Sequence, residues 1–590
     1  MAYKQDILDK YRSDALAGKP FLCATCPYCN GQRDASVKYI HPSTKPKNSW
    51  DFWNHVLGRK YLLVQSKMAR HNFDLRPHGL PHRGEGEHRA DAPMFVVGPM
   101  VDQSELPFRM LCREYGATLA YTPMLHAKCF KESAMYRRKF FTTTPIERVS
   151  QYVASATAAE AGVQSFDKAE RLSTHDQPGR PHPDCGMNSD RGADRDSLVD
   201  RPCIVQFCGH DPETVLEAAR LAVRGEYVDL NHPDGIYHVS ANRPDGNFTP
   251  NKETDEDKEE IFYQCDAVDI NLGCPQGIAR RGHYGSFLME DWDLIHTIIH
   301  TLHVELEVPV TAKIRVFDYS DTTNSTPVNE NIESKLDELL TIYYAQMIRD
   351  AGAQLICVHG RTRAMKGQNS GLADLELIRR VRLALGGTIP VISNGNVLCY
   401  QDVLKNFAQT GCEGYMCAEP LLWDPTLFSN PDHPVFSGRL YGANKKARLA
   451  AIDTALNYMR WLRRCPADVG IIKTHLFKMC YHSYELHPSF RDFMANFKTR
   501  LNSVQEDETC VVDADQGTSD SFEEKSLEED VTAFFNQVEI LENHLQTLAK
   551  VEISSNVEGE QPKTAKERKA ESRMQQVDFF EGEGCLGFDF

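Results

Sequence analysis

The sequence predicts a (β/α)8 barrel with a C-terminal helical domain and disordered insertions, and three observations carry that prediction. From residue 94 onward, eight short runs rich in β-branched residues recur, most of them continuously apolar, as strands buried on both faces are. Amphipathic stretches follow several of these runs, which is the alternation of a parallel α/β fold. The first run lacks a following GxGxxG, the glycine fingerprint of a dinucleotide-binding sheet. Alternation alone leaves a doubly wound open sheet as the second possibility.

The strand runs are MFVVGPM (94–100), ATLAYTPM (117–124), CIVQFCG (203–209), AVDINLGC (267–274), PVTAKIRVF (309–317), QLICVHGR (354–361), IPVISNGN (389–396) and GYMCAEPL (414–421). Helical patterns follow the first (LPFRMLCREYG), third (DPETVLEAARLAV), fourth (WDLIHTIIHTLH) and sixth (LELIRRVRLAL). Polar stretches rich in Ser, Asp, Pro and Gly interrupt the pattern at about 145–200 and 228–262, and a further polar run occupies 318–331. The flanking pattern resumes after each, so they read as disordered insertions in a barrel spanning 91–436.

A helical domain is expected over 437–500. KKARLAAIDTALNYMRWLRRC carries an apolar stripe of Leu449, Ile452, Leu456, Met459 and Leu462, with Lys445, Lys446, Arg448, Arg460, Arg463 and Arg464 on its other side. A charged helix face is ordinarily solvated, but Tyr458 and Trp461 interleave with these cations, which makes nucleic acid the competing reading. Residues 501–590 read as an acidic, mostly disordered tail with one helix near 529–550. The extension 1–90 contains CATCPYC, whose Cys23, Cys26 and Cys29 could hold zinc with His41 as a fourth ligand. No second CxxC pair follows, so no metal is assigned.

The chain has 18 cysteines, scattered and without a secretion signal, and reads as a reduced cytoplasmic or nuclear protein. No run of about 18 apolar residues predicts a membrane helix. The net charge of −17 is concentrated: residues 251–260 carry −4 and 501–530 carry −10, leaving −3 for the rest. A local basic face for RNA is therefore compatible with the acidic total.

Active sites of (β/α)8 barrels lie at the C-terminal strand ends, and the unusual residues collect there. Asn394-Gly395-Asn396 suits an anion held by backbone N–H groups, though Asn-Gly is also an ordinary turn. Lys313 is a cation within an apolar strand and needs a partner, either a bound anionic ring such as a reduced flavin or an internal carboxylate such as Asp269. Gln206 and Asn271 could face a planar ring or base, or be satisfied core amides.

The stretches PMVDQSELPFRMLCREYGATLAYTPMLHA, IVQFCGHDPE, DINLGCPQGIARRGHYGSFL, TAKIRVF, VHGRT and SNGN resemble the tRNA-dihydrouridine synthase family, more narrowly its eukaryotic branch acting at uridines 16 and 17 of the D-loop. The resemblance runs from about 94 to 490, insertions apart. It implies an FMN-binding barrel that uses NADPH or NADH to reduce the uridine C5=C6 bond in tRNA, with no membrane and no obligate protein partner. It implies that Cys274 is catalytic and that Pro99, Met100, Val101, Gln206, Lys313 and His359 contact FMN. Asn394, Gly395, Asn396, Ala418 and Glu419 would lie near its phosphate. The family more often has a glycine-arginine pair at the last two positions, so contact there would run through backbone amides with Glu419 turned away. Asn271, Arg280, Arg281, His283, Arg361 and Arg363 would serve the RNA, with assistance to proton transfer as the other reading of His283.

A thiol suits the proton step, because with a free pKa near about 8.5 it is mostly protonated at neutral pH. Pro275 fixes the chain after it, and Gly277, Gly282 and Gly285 predict a loop free to rearrange. Two alternatives compete: an FMN barrel acting on a free pyrimidine, which has no use for a basic helical domain, and a non-catalytic RNA-binding protein on a decayed barrel.

Overall fold

The computed structural model describes residues 5–27, 93–144, 199–227, 237–238, 264–317, 330–366, 371–429, 444–497 and 520–555. The three expected insertions lie almost wholly outside these residues. Two compact units emerge, one of residues 1–104, 116–397 and 401–417, the other of 105–115, 398–400 and 418–590.

The first unit is a closed parallel barrel of eight strands: β1 (Met94–Val97), β2 (Leu119–His126), β3 (Cys203–Cys208), β4 (Ala267–Leu272), β5 (Val310–Arg315), β6 (Ile356–His359), β7 (Val391–Asn394) and β8 (Gly414–Cys417). They pair in sequence order and β8 closes onto β1, with Phe95 opposite Tyr415. Alternate side chains fill the interior: Val96, Tyr121, Ile204, Ala267, Cys357, Ile392 and Met416 belong to one buried cluster. The same alternation turns Gln206, Asp269, Asn271, Lys313, His359 and Asn394 inward nearer the C-terminal ends. Register sets Gln206 beside Asp269, Asn271 beside Lys313, and His359 beside Asn394.

Most strands end two or more residues before the sequence runs do. The run 414–421 is the clearest case: β8 stops at Cys417, and Glu419–Trp423 is helical with Pro420 in its first turn. At the other end of the chain, helix Gln5–Leu16 is held by Tyr11, which stacks on Trp292 at 4.1 Å, and Phe21 packs on the same indole.

The second unit is helical: Lys445–Leu462, Val469–Met479, Tyr481–Leu486, Pro488–Asn496 and Asp520–Ser554, joined by Leu106–Glu114 from the start of the barrel sequence. Residues 501–519 and 556–590 lie outside the described residues. The one helix expected near 529–550 is present and longer, Asp520–Ser554, and it belongs to this unit. Phe534, Val538, Leu541, Leu545 and Leu548 form its buried stripe, and Arg448 meets Glu552 in a fully buried ion pair at 2.9 Å. Several of the cations expected to form a basic face on 445–464 are engaged within the protein. Arg448, Tyr458 and Trp461 are buried, Arg460 pairs with Glu114, Arg463 with Glu542, and Lys445 donates to the Ile553 and Ser555 carbonyls. Hydropathy alone could not foresee this, because the partners lie about 80 to 350 residues away in sequence. Among the described residues no helix is long and apolar enough to cross a membrane.

Candidate active site

Cys274 sits two residues past the end of β4, where the chain turns back across the barrel mouth. Asn271, the last inward residue of β4, makes that turn: its Oδ1 accepts from the backbone N–H of Gly273 (3.0 Å) and of Cys274 (2.9 Å). Its Nδ2 donates to Gln206 Oε1 (2.8 Å) and to Met124 Sδ (3.0 Å). Both acceptor and both donor positions of the Asn271 amide are therefore used within the protein. Gln206 passes the polarity on, donating from Nε2 to Asp269 Oδ2 (2.8 Å), while Thr311 Oγ1 donates to Asp269 Oδ1 (2.6 Å). Asp269 is fully buried, and burial pushes its carboxyl up to about 7 against the lowering pull of Thr311, Gln206 and Lys313.

The thiol lies half-buried among apolar groups. Cys208, Ala279 and Tyr284 form a small cluster, and Met124, Phe287 and Cys274 pack against it. Burial pushes the Cys274 thiol up, opposed by the Gln276 N–H and by Arg315, Lys313 and Lys366. The loop that follows is tied down rather than loose. Gly277–Arg281 is a short helix and Gly285–Leu288 a 3-10 turn. Gly285 adopts φ 66° so closely packed that a Cβ would stand 2.7 Å from the Cys274 carbonyl oxygen. Its glycine answers to packing, not to mobility.

Three carbonyls in a row are engaged. Gly273 O accepts from Arg315 Nε (2.7 Å), Cys274 O from Ser286 N (3.1 Å) and Oγ (3.0 Å), and Pro275 O from Lys366 Nζ (3.1 Å). Arg315 is legible in the sequence as a charge at the end of its strand, but Ser286 and Lys366 have no place in the sequence reading of the site. Only their convergence on one loop marks them.

Lys313 points inward beside Asn271, and among the described residues its ammonium has no hydrogen bond or ion pair. Burial lowers its pKa, with Asp269 and the thiols of Cys357 and Cys274 opposing and Arg315 assisting. The internal salt bridge to Asp269 is not formed. His359 is held neutral: burial and the cations Lys313, Arg315 and Arg361 lower its pKa, and Arg361 Nη1 donates to its Nε2 at 2.9 Å. Arg361 also donates to Gly371 O (2.8 Å) and to Asn396 Oδ1 (3.4 Å). Asn396 (φ 56°) is bound both ways to the Ala373 backbone, and Asn394 Nδ2 donates to Met416 O. Gly395 has φ 119°, and a Cβ there would meet Ala373 Cβ at 2.5 Å.

The remaining expected residues fall as follows. Pro99 and Met100 are partly buried after β1, and Val101 is exposed. Arg280 and Arg281 are exposed on the short helix, without partners among the described residues. His283 (φ 50°) lies 3.0 Å from Asp291 and against the His210 ring, not at the thiol. Arg363 is buried: Nη1 donates to Glu290 Oε1 (2.8 Å) and Ser286 O (3.1 Å), and the guanidinium lies over Phe287. Ala418 and Glu419 belong to the second unit, where Glu419 is near the half-buried Lys478. Cys23 lies near Asp293 O and Thr297 Oγ1 and Cys26 is buried, while Cys29 is outside the described residues. Among the described residues no group of three or more His, Cys, Asp or Glu is placed to hold a metal.

Comparison with known proteins adds the following. The family model described as dihydrouridine synthase matches residues 95–161 and 257–536. A Saccharomyces cerevisiae tRNA-dihydrouridine(16/17) synthase using NAD(P)(+) is 34% identical over 439 residues, covering 74% of this chain and 76% of that one. The Schizosaccharomyces pombe protein of the same description is 32% identical over 419 residues, 70% and 76% of the two chains. A Mus musculus protein described as like this enzyme is 35% identical over 404 residues, covering 68% of this chain and 58% of that one.

Proposed function

On the premise that this chain belongs to the dihydrouridine synthase family, we propose that it reduces the C5=C6 bond of uridines 16 and 17 in tRNA and that Cys274 delivers the proton. FMN, when bound, would supply the hydride for C6, drawn from NAD(P)H. The observation that carries the assignment is the Cys274 thiol itself: half-buried, pushed up by burial, and fixed at the barrel mouth by hydrogen bonds on both sides.

The residues present fit an anionic, planar group. Lys313 offers an inward ammonium with no countercharge, and Gln206, neutral His359, Pro99, Met100 and Val101 stand around the same mouth. Asn394, Gly395 and Asn396 would meet the phosphate end. A cation held dry without a partner costs several kcal/mol, so binding an anion beside it relieves that cost.

Cys274 donates its Sγ proton to C5 as the C6–H bond forms, which completes dihydrouridine. A thiol kept from ionising is in the donating form at neutral pH, and solvent returns the proton after product leaves. Asn271 contributes by aiming Cys274, since its amide has no capacity left for a base. Arg280 and Arg281, exposed and unpaired, take the phosphates near the extruded uridine. Arg361 supports His359 and Asn396 from the rim, and His283 is held by Asp291.

The test uses the full chain loaded with FMN, NADPH, unmodified tRNA and, separately, free uridine. Dihydrouridine at positions 16 and 17 of tRNA, with none from free uridine, is expected. Reduction of the free base alone would favour the small-molecule reading, and no reduction of either with RNA still bound would favour the non-catalytic one. Cys274→Ala should keep the flavin spectrum and its bleaching by NADPH while dihydrouridine formation falls at least about a hundredfold. Full activity in that variant would overturn the assignment.

A further inference from the structure

We propose that Arg363, together with Glu290, is a positioning residue that locks Cys274 in its donating pose, rather than a contact for RNA. This rests on the reading of Cys274 as proton donor.

The Cys274 loop is anchored through its carbonyls. Ser286 holds the Cys274 carbonyl with both its N–H and its hydroxyl. Ser286 in turn offers its own carbonyl to Arg363 Nη1 at 3.1 Å, and the same nitrogen reaches Glu290 Oε1 at 2.8 Å. Arg363 and Glu290 side chains are each 6% exposed. The guanidinium covers Phe287, which packs against the cluster that shields the thiol. Removing the cation therefore loosens the Cys274 carbonyl anchor and the apolar lid together.

Arg363 does not act alone. The segment after β6 crosses the Cys274 loop at three points. Arg315 joins Gly273 O to the carbonyls of Thr362 (2.7 Å) and Met365 (3.2 Å). Lys366 reaches Pro275 O, and Arg363 reaches Ser286 O. The segment is a buckle across the acid loop, and Arg363 is its buried pin. Arg280 and Arg281, by contrast, are exposed and without side-chain partners among the described residues.

The experiment compares Arg363→Lys, Glu290→Gln and the charge-free pair Arg363→Met with Glu290→Met, which keeps bulk without leaving one charge buried. Alkylation of Cys274 by iodoacetamide is followed by peptide mass spectrometry across pH. Affinity for unmodified tRNA is measured across salt, with single-turnover dihydrouridine formation alongside. Positioning predicts Cys274 alkylation at least about tenfold faster, with its pH midpoint moving down toward the ordinary thiol value of about 8.5. It predicts turnover at least about tenfold slower, with tRNA affinity and its salt slope unchanged. A contact to RNA phosphate predicts the reverse: unchanged alkylation and a salt slope smaller by about one. That result, or variants with wild-type alkylation and turnover, would overturn the proposal. If the wild-type chain makes no dihydrouridine, the functional reading fails, yet alkylation and salt slope still decide what Arg363 does. Should one single variant fail to fold, the charge-free pair carries the same comparison.

Discussion

Asp269 shows at single-residue scale how a core carboxyl can serve a site it does not touch. It accepts from Gln206 and Thr311 and so sets the direction of the amide chain that ends on the Cys274 N–H. Burial raises its folded pKa to about 7, well above the ordinary carboxylate range. The sign follows from linkage: a carboxyl whose folded pKa is raised leaves stability intact below its unfolded value and loses it as pH rises through the folded one. Three pH units correspond to about 4 kcal/mol at most. Asp269→Asn keeps the shape and an acceptor for Gln206. Its thermal midpoint should therefore gain on wild type between pH 4.5 and 8; an unchanging gap would mean the carboxyl is not strained. Lys313→Met gives the matching prediction for the cation: a more stable unliganded barrel and at least about tenfold weaker FMN retention, read by melting and by flavin fluorescence. Of these two, Lys313 was legible in the sequence as a charge inside an apolar run. Its lack of a partner was not, because only the closed barrel shows that Asp269 is already engaged.

At the scale of elements, the helix Asp520–Ser554 runs longer than the one expected near 529–550. Its N-terminal half is dense in acids, and acidic composition argues for disorder. The stripe Phe534, Val538, Leu541, Leu545 and Leu548 outweighs that composition once a partner face exists. Deleting 520–590 should unfold or aggregate the helical unit; a soluble, normally melting truncation would restore the disordered-tail reading. Glu552→Gln should cost about 3 kcal/mol or more, because Arg448 would remain fully buried without its countercharge. The Cys274 loop is the second departure. Three glycines read as freedom, but at Gly285 the absent Cβ permits contact with the Cys274 backbone. Sequence cannot separate these two uses of glycine, since both remove the same atom.

For the whole molecule, the question is where an acidic protein holds an acidic substrate. In the helical unit Arg460, Arg463 and Arg448 are engaged by Glu114, Glu542 and Glu552, whereas Arg280 and Arg281 stand exposed on the barrel rim. Replacing both rim arginines by alanine should weaken tRNA binding and lower its salt slope by about one to two. The pair Arg460→Ala and Arg463→Ala should change binding less than it lowers stability. A larger loss of binding from the helical pair would return the RNA grip to the face that the sequence first pointed to.

The sequence by itself determined eight strand runs with helical patterns after several of them, and the chemical identity of their strand ends, and left open whether the sheet closes. Buried apolar runs are local properties, and a thiol at a strand end is a covalent fact. Tertiary structure decided which polar groups remain available. Asn271 is saturated, Arg363 is buried beneath the loop and Arg448 is sealed in a core, while Lys313 alone among these is left without a partner in the described residues. Availability depends on groups that folding brings together from distant parts of the chain. Hydrogen-bond valence and charge pairing are satisfied in space, not along the sequence.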